Sequence, residues 1–209
     1  MLLTSIGLML ALLNLTAATK EPLQVAHYDD IKNVNPAIGI APPKPYKFLQ
    51  YIGYGLGAPV PGTITIQASS AKNAIFAPYL LAGAPLVMPV VFSNYTDSKV
   101  LSFDLKSIAD GCYAATQNGI LAPAINCTIR YTGTKRDGKE VVYDSVYGTG
   151  EILGLALHAI PVKSHEFPVL DFSDLVQVKP KIIKATLPNL LGAVAQMAFD
   201  DMTYEVTLK

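Results

Sequence analysis

Short runs of β-branched and aromatic residues, separated by Gly, Pro, Asn and Asp, constrain the fold of this chain more than any other feature. From Tyr46 onward these runs recur about every 8 to 15 residues, a spacing typical of antiparallel strands joined by turns. The clearest example is a hairpin in which residues 127–131 and 141–143 alternate in polarity on either side of Asp137-Gly138. The sequence therefore predicts an all-β fold, an antiparallel β-sandwich of jelly-roll type with about nine or ten strands.

Three segments are predicted along the 209 residues. Residues 1–19 are predicted to be a secretory signal peptide, because an apolar run ends in small residues before the first charge, Lys20. An uncleaved anchor is the alternative, since no Lys or Arg precedes the apolar run. Residues 20–45 are rich in Pro and polar groups and predict an extended N-terminal arm, whereas residues 46–209 form the predicted β-sandwich domain.

Residues 187–199 are compatible with two structures. Leu187, Leu190 and Val194 have helical spacing, whereas Met197 and Phe199 alternate as they would in a strand. The sequence therefore allows at most one short helix, in this segment.

Two cysteines and two glycosylation sequons agree with export. In a reducing cytosol Cys112 and Cys127 would be inert small hydrophobes, whereas secretion favours a disulfide between them. The sequons place Asn94 before Tyr-Thr and Asn126 before Cys-Thr, and each requires passage through the secretory route. We therefore expect a secreted glycoprotein, or one resident in a compartment of the secretory route.

The charge balance restricts the class of partner. Lys and Arg (16) equal Asp and Glu (16), while 51% of the residues are hydrophobic and only 15% are charged. No net field exists to gather phosphates, which argues against a nucleic-acid groove or an anionic membrane surface. Apart from the leader, no segment of the sequence is predicted to span a membrane, and the expected partners are hydrophobic small molecules.

Motifs of conventional catalysis are missing from the sequence. It contains no G-x-S-x-G, H-E-x-x-H, P-loop or G-x-G-x-x-G pattern, and no cofactor is predicted. Asp200 and Asp201 are an acidic pair beside a predicted strand and could bind Ca²⁺, but a turn aspartate that accepts backbone N–H groups has the same pattern. The turn is favoured, so no metal site is predicted.

Tyrosines, one histidine and one arginine are the candidate pocket residues. Tyr presents an apolar face and a hydroxyl, so clustered tyrosines can line a pocket for a hydrophobic ligand, or simply cover a core. His158 is the only histidine in an apolar run, and a sheet histidine is its structural alternative, whereas His165 is predicted to be solvated. Arg130 could be an outward strand charge. The candidate residues are Tyr51, Tyr54, Tyr113, Arg130 and His158.

Two blocks of the sequence carry a family resemblance. Residues 105–108, Gly111 to Gly119, and Cys127-Thr128-Ile129 resemble small secreted fungal proteins, and Phe199 to Tyr204 looks like their last strand, although they more often have Asp-Asn than Asp-Asp there. Some members are hetero-Diels-Alderases of meroterpenoid pathways. The resemblance implies a cofactor-independent coupling of a tropolone quinone methide to a humulene-type sesquiterpene.

A pericyclic coupling is compatible with the missing motifs, because it needs orientation of two apolar partners and a hydrogen-bond donor rather than a nucleophile. The alternative is a secreted carbohydrate- or cell-wall-binding glycoprotein without enzymatic activity. A surface coat protein without any ligand is the third hypothesis.

Overall fold

The computed structural model describes residues 18–32, 45–57, 66–70, 73–77, 88–115, 123–150, 155–156, 160–187 and 194–209. These residues form fifteen β-strands and no helix, which confirms the predicted all-β, antiparallel fold class. The strands outnumber the prediction because several contain only two to four residues, too few for a visible alternation of polarity. They are β1 (Gln24–Ala26), β2 (Gln50–Ile52), β3 (Gly55–Gly57), β4 (Ile66–Gln67), β5 (Ala74–Ala77), β6 (Val90–Phe92), β7 (Val100–Ala115), β8 (Ala124–Ile125), β9 (Cys127–Lys135), β10 (Glu140–Tyr147), β11 (Leu155–Ala156), β12 (Ile160–Pro161), β13 (Lys163–Glu166), β14 (Leu175–Ala185) and β15 (Val194–Leu208).

The two longest strands, β7 and β15, form the centre of the first layer. They pair antiparallel over almost their whole length, from Val194 opposite Ala115 to Leu208 opposite Val100. β13 and β8 add to the free edge of β7, and β5 and β1 add to the free edge of β15. Because β1 pairs with β15, the start of the described chain lies against its end.

A second layer has the strand order β10-β9-β14-β6-β2. It joins the first layer through one residue pair, Leu175 of β14 opposite Phe103 of β7, so that thirteen strands form one curled sheet. The hairpin predicted at Asp137-Gly138 connects β9 to β10, and Gly138 has a φ of 85°. Only Gly adopts this left-handed conformation without a steric cost.

A continuous series of aromatic rings fills the space between the layers. Neighbouring rings have centroids 4.7 to 6.3 Å apart, and most are arranged edge to face. Each such contact contributes about 0.5–1.5 kcal/mol beyond the area it buries. In spatial order the rings are Tyr46, Tyr28, Tyr51, Tyr54, Phe199, Tyr131, Phe167, Phe172 and Tyr143.

A buried carboxylate connects the two layers. Asp110 of β7 is fully buried and accepts hydrogen bonds from the Tyr131 hydroxyl of β9 (2.6 Å) and from the Ser145 hydroxyl of β10 (3.0 Å). His165 of β13 places Nε2 3.3 Å from the Asp110 carboxylate. A buried carboxylate is tolerated only where hydrogen-bond donors replace water. The hydrogen bonds of Asp110 therefore fix three strands, β7, β9 and β10, around this group, and His165 lies beside it without a hydrogen bond.

The location of His165 differs from the prediction of a solvated loop residue. It lies on β13, and its side chain is only 12% exposed. The prediction was wrong because Ser164 and Glu166, the polar neighbours on which it rested, point to solvent while His165 faces the other way.

Several sequence predictions concern residues outside the described ranges. Residues 1–17 of the predicted signal peptide and residues 33–44 of the predicted arm lie there, as do residues 188–193 of the ambiguous segment. From Val194 onward that segment is β15, so Met197 and Phe199 alternate in a strand. In the described part of the chain, no helix has the length and apolar character needed to cross a membrane.

The predicted disulfide between Cys112 and Cys127 is present. It links β7 to the start of β9, and both cysteines are buried. Its sequence separation of 15 residues closes one loop in the chain.

We predict that the double variant Cys112→Ser/Cys127→Ser loses about 3 kcal/mol of unfolding free energy, because closing a loop of this length restricts the unfolded chain by that amount. Urea unfolding with and without reductant measures the loss. Reductant should destabilise the wild type to the same level and leave the double variant unchanged. A wild type that is indifferent to reductant would contradict the prediction.

Candidate functional site

Two of the predicted pocket residues, Tyr51 and Tyr54, lie together. Their ring centroids are 5.8 Å apart, and both side chains are buried in the aromatic series between the layers. The sequence left open whether these tyrosines line a pocket or cover a core, and in the structure they lie in the core. The same buried location raises the pKa of both phenols well above the ordinary value, so both remain protonated donors.

Two of the other predicted pocket residues, Tyr113 and Arg130, lie elsewhere. The Tyr113 hydroxyl forms a hydrogen bond with the Gln196 side chain. Arg130 lies on the exposed side of β9, where its guanidinium donates two 2.8 Å hydrogen bonds to Asp144. His158 lies outside the described residues. Among the described candidates, the structure therefore brings only Tyr51 and Tyr54 together.

Two buried phenols have no hydrogen bond of normal geometry to a described residue. They are the hydroxyls of Tyr28 and Tyr51, whose rings are 5.9 Å apart. The neighbouring Tyr204 hydroxyl, in contrast, donates to the Lys47 carbonyl at 2.6 Å. A buried donor without an acceptor costs about 1–3 kcal/mol and calls for a physical explanation.

A recess of about 380 Å³, called the polar recess after the side-chain types of its lining residues, opens where the chain after β1, the turn from Tyr46 to Leu49 and the loop after β4 converge. Its walls combine carboxylates, an imidazole, an ammonium group and hydroxyls. The lining residues are His27, Asp29, Asp30, Tyr46, Lys47 and Ser70.

A β-bulge in β15 supports one side of the recess through contacts with its lining residues His27 and Ser70. The register between β7 and β15 shifts between Asp200 and Thr203, and Asp201 adopts a left-handed φ of 46°. This conformation lets the Asp201 carboxylate contact both the His27 imidazole and the Ser69 hydroxyl. The bulge therefore positions groups from three distant segments at the recess.

Asp200 supports the same side of the recess by accepting hydrogen bonds from its lining residue Ser70. Its side chain is fully buried and accepts hydrogen bonds from the Ser70 backbone N–H (2.8 Å), the Ser70 hydroxyl (3.0 Å) and the Ser69 hydroxyl (3.1 Å). Burial is the main reason that the pKa of Asp200 is raised above its ordinary value. The acidic pair singled out from the sequence thus includes an aspartate that accepts a backbone N–H.

The opposite wall leaves hydrogen-bonding capacity for a ligand. Asp29 uses one carboxylate oxygen to accept the Asn73 N–H (2.9 Å), and Asp30 uses one to accept the Tyr46 hydroxyl (2.6 Å). The second oxygen of each carboxylate has no hydrogen bond to a described residue. Lys47 donates one hydrogen bond to the Val25 carbonyl (2.7 Å) and retains two N–H donors.

Backbone strain is concentrated around this recess. Of the six non-glycine residues with positive φ in the described ranges, Lys47 lines the recess, and Tyr28 and Phe48 each follow a lining residue. Asp201 contacts the lining residue His27. Lys47 and Phe48 form a two-residue turn closed by mutual hydrogen bonds between Tyr46 and Leu49. Asn-Gly is preferred in turns with two positive φ values, so bulky residues there store energy, as residues at functional sites often do.

Only one side of the site carried a signal in the sequence, the acidic pair Asp200-Asp201. His27, Asp29 and Asp30 lie in the segment predicted as an extended N-terminal arm, although Asp29-Asp30 is an acidic pair like Asp200-Asp201. Its position beside a short strand was not recognisable, because β1 has only three residues. In the described portion, no three His, Cys, Asp or Glu side chains cluster in a way that could hold a metal ion.

No model of a known protein family matches this chain, and no curated protein matches it. Among solved structures it is similar to a DUF4465 family protein from Bacteroides caccae, with 9% identity over 88% of this chain and 99% of that one and a TM-score of 0.47. It is also similar to the K2 cleaved adhesin domain of Lys-gingipain, with 10% identity over 88% of this chain and 97% of that domain and a TM-score of 0.40.

We predict a distinctive pH dependence for the variant Asp200→Asn. A carboxyl whose folded pKa is raised adds stability below its unfolded pKa, and this stability is lost as the pH rises through the folded value. The variant lacks this contribution and also loses an acceptor. The difference in unfolding free energy between wild type and variant should therefore narrow as the pH rises above about 4.

Asp144→Asn is the matched control with the opposite sign, because its hydrogen bond with Arg130 lowers the pKa of Asp144. The stability that Asp144 adds is present above its unfolded pKa and is lost as the pH falls. Urea unfolding at several pH values measures both variants. If the difference in unfolding free energy from the wild type changed with pH in the same direction for both variants, burial would not control the ionisation of Asp200.

Proposed function

We propose that this protein binds carbohydrate in the polar recess between the N-terminal segment and the bulge of β15. The observation that carries the proposal is the pairing of free carboxylate oxygens with ammonium and imidazole donors around about 380 Å³ of open space. Ligand sites range over about 300–1,000 Å³, so a short saccharide is of suitable size.

The chemistry of the walls suits a polyhydroxyl ligand. Sugar hydroxyls can donate to the free oxygens of Asp29 and Asp30, and sugar oxygens can accept from Lys47. Carboxylates accept stronger hydrogen bonds than neutral groups do, so they can replace the water lost by each hydroxyl. Carboxylates outnumber cationic groups at the recess, which disfavours acidic sugars.

An exposed aromatic ring stands on the same turn as Lys47. Phe48 is 37% exposed and has a φ of 72°. The ring offers an apolar face to the C–H groups of a sugar, as a Tyr or Trp platform does. A contact between the ring and a ligand would explain why a bulky residue is kept at this strained position of the turn.

We predict that a glycan array followed by calorimetry will identify a neutral oligosaccharide that binds the wild type. Asp30→Asn keeps an acceptor for Tyr46 but replaces the free carboxylate oxygen with a donor, and it should weaken binding about tenfold or more. Phe48→Gly removes the ring while relieving the strain of the turn, so affinity should fall without loss of thermal stability.

Val142→Thr, on the exposed side of β10, is the control and should bind like the wild type. The proposal fails if no saccharide binds, or if the Asp30 and Phe48 variants retain full affinity.

The second candidate function is the cofactor-independent hetero-Diels-Alder coupling implied by the family resemblance. The buried hydroxyls of Tyr28 and Tyr51, which form no hydrogen bond of normal geometry with a described residue, favour it, because a phenol can donate to the carbonyl oxygen of a heterodiene and stabilise its developing charge. The coupling forms one C–O and one C–C bond and releases no group. Orientation of the two partners supplies the remaining rate enhancement.

We predict that purified protein accelerates the coupling of a quinone-methide precursor with a humulene-type alkene, and that Tyr51→Phe reduces the rate about a hundredfold. Tyr143→Phe, which alters a ring at the far end of the aromatic series, is the control and should keep the wild-type rate. Product yield and stereochemistry identical to those in buffer would exclude this function. Saccharide binding is measured separately, so the two candidates are distinguished.

A further inference from the structure

A second recess lies at the disulfide end of the second layer. It has a volume of about 260 Å³, below the roughly 300–1,000 Å³ of drug-sized ligand sites, and so has room for about one monosaccharide. Its walls include both ends of a glycosylation sequon, Asn126 and Thr128. The other lining residues are Cys127, Val146, Tyr147, Gly148, Lys184 and Thr186.

The Asn126 side chain is fixed by its carbonyl end. Its Oδ1 accepts hydrogen bonds from the Thr149 N–H (2.7 Å) and the Thr149 hydroxyl (3.0 Å), and its backbone carbonyl accepts the Thr186 N–H (2.9 Å). The Nδ2 amide has no hydrogen bond to a described residue. The atom that receives an N-linked sugar is thus available, while the rest of the side chain is held in one orientation.

We propose that Asn126 carries an N-linked glycan and that its first sugar occupies this recess and stabilises the folded chain. Nδ2 of Asn126 attacks C1 of a lipid-diphosphate-linked oligosaccharide, the donor used by secretory transferases. The N–C1 bond forms as the C1–O bond to the diphosphate breaks. The amide proton passes to a base of the transferase, and the lipid diphosphate leaves as the anion.

The recess offers specific contacts to this sugar. The Val146 side chain is 62% exposed and provides an apolar surface that the sugar would cover. The Lys184 ammonium and the Thr186 hydroxyl supply hydrogen-bond donors at the other wall. Because the sugar is covalently attached, these contacts form without the entropic cost of bringing a free ligand to the site.

The position of the sequon also determines whether glycosylation comes before or after the pairing of β9 with its neighbouring strands. Thr128 lies within β9 and pairs with Val146 on one side and with Lys184 on the other. A transferase cannot read a sequon held inside a sheet, so modification precedes the pairing of these strands. The disulfide at Cys127 closes in an oxidising compartment, which is where such transferases act.

The other sequon provides an internal control. Asn94 is exposed in the loop after β6, and Thr96 is exposed in the same loop. A glycan at Asn94 would extend into solvent, so its removal should not change stability.

The test compares protein from a eukaryotic secretory host before and after glycosidase trimming to a single N-acetylglucosamine, together with the variants Thr128→Val and Thr96→Val. Mass spectrometry should show Asn126 occupied. Trimming to one sugar should leave the melting temperature unchanged, whereas Thr128→Val should lower it by roughly 2–4 °C. Thr96→Val should have no effect.

Thr128→Ser keeps the sequon and should retain both the glycan and the melting temperature. Wild type and Thr128→Val made without glycosylation should melt together, which separates the sugar from the side chain. An unoccupied Asn126, or an occupied Asn126 whose loss leaves the melting temperature unchanged, overturns the proposal.

Discussion

The long antiparallel pairing of β7 with β15 is the constraint on which the other elements depend. These strands have 16 and 15 residues, much longer than the roughly 5–6 residues of an average strand. Strands of this length twist strongly, and a bulge at Asp200 to Thr203 absorbs part of the mismatch in register. The same bulge gives Asp201 its left-handed conformation and so orients the groups of the polar recess.

Tyrosine has two functions in this fold. Its ring fills the space between the layers, and its hydroxyl connects buried groups, as when Tyr131 donates to Asp110 and Tyr46 donates to Asp30. The Tyr131 hydroxyl allows the Asp110 carboxylate to remain inside the apolar core, because the buried oxygen gains a donor. The aromatic series therefore reaches from the interior to the edge of the recess at Tyr46, so the core and the recess share a residue.

Features encoded by neighbouring residues could be predicted from the sequence. The hairpin at Asp137-Gly138 followed from local alternation and one glycine, and the disulfide followed from two cysteines in a chain expected to be secreted. The recess could not be predicted, because His27 and Asp201 are 174 residues apart and meet only when β1 pairs with β15. Alternation also cannot distinguish a tyrosine that lines a pocket from one that fills a core, which is why Tyr51 remained ambiguous.

The docking of β1 on β15 has a consequence for how the recess behaves. Three of the six lining residues follow this three-residue strand directly, and terminal segments open more readily than the rest of a fold. The recess is complete only while β1 is paired with β15. An occupant would therefore bind the paired state and not the state in which β1 is detached. Binding of an occupant would then favour the docking of the N-terminal segment, and docking would raise the affinity for the occupant by the same factor. The segment around β1 and an occupant of the recess would therefore hold each other in place.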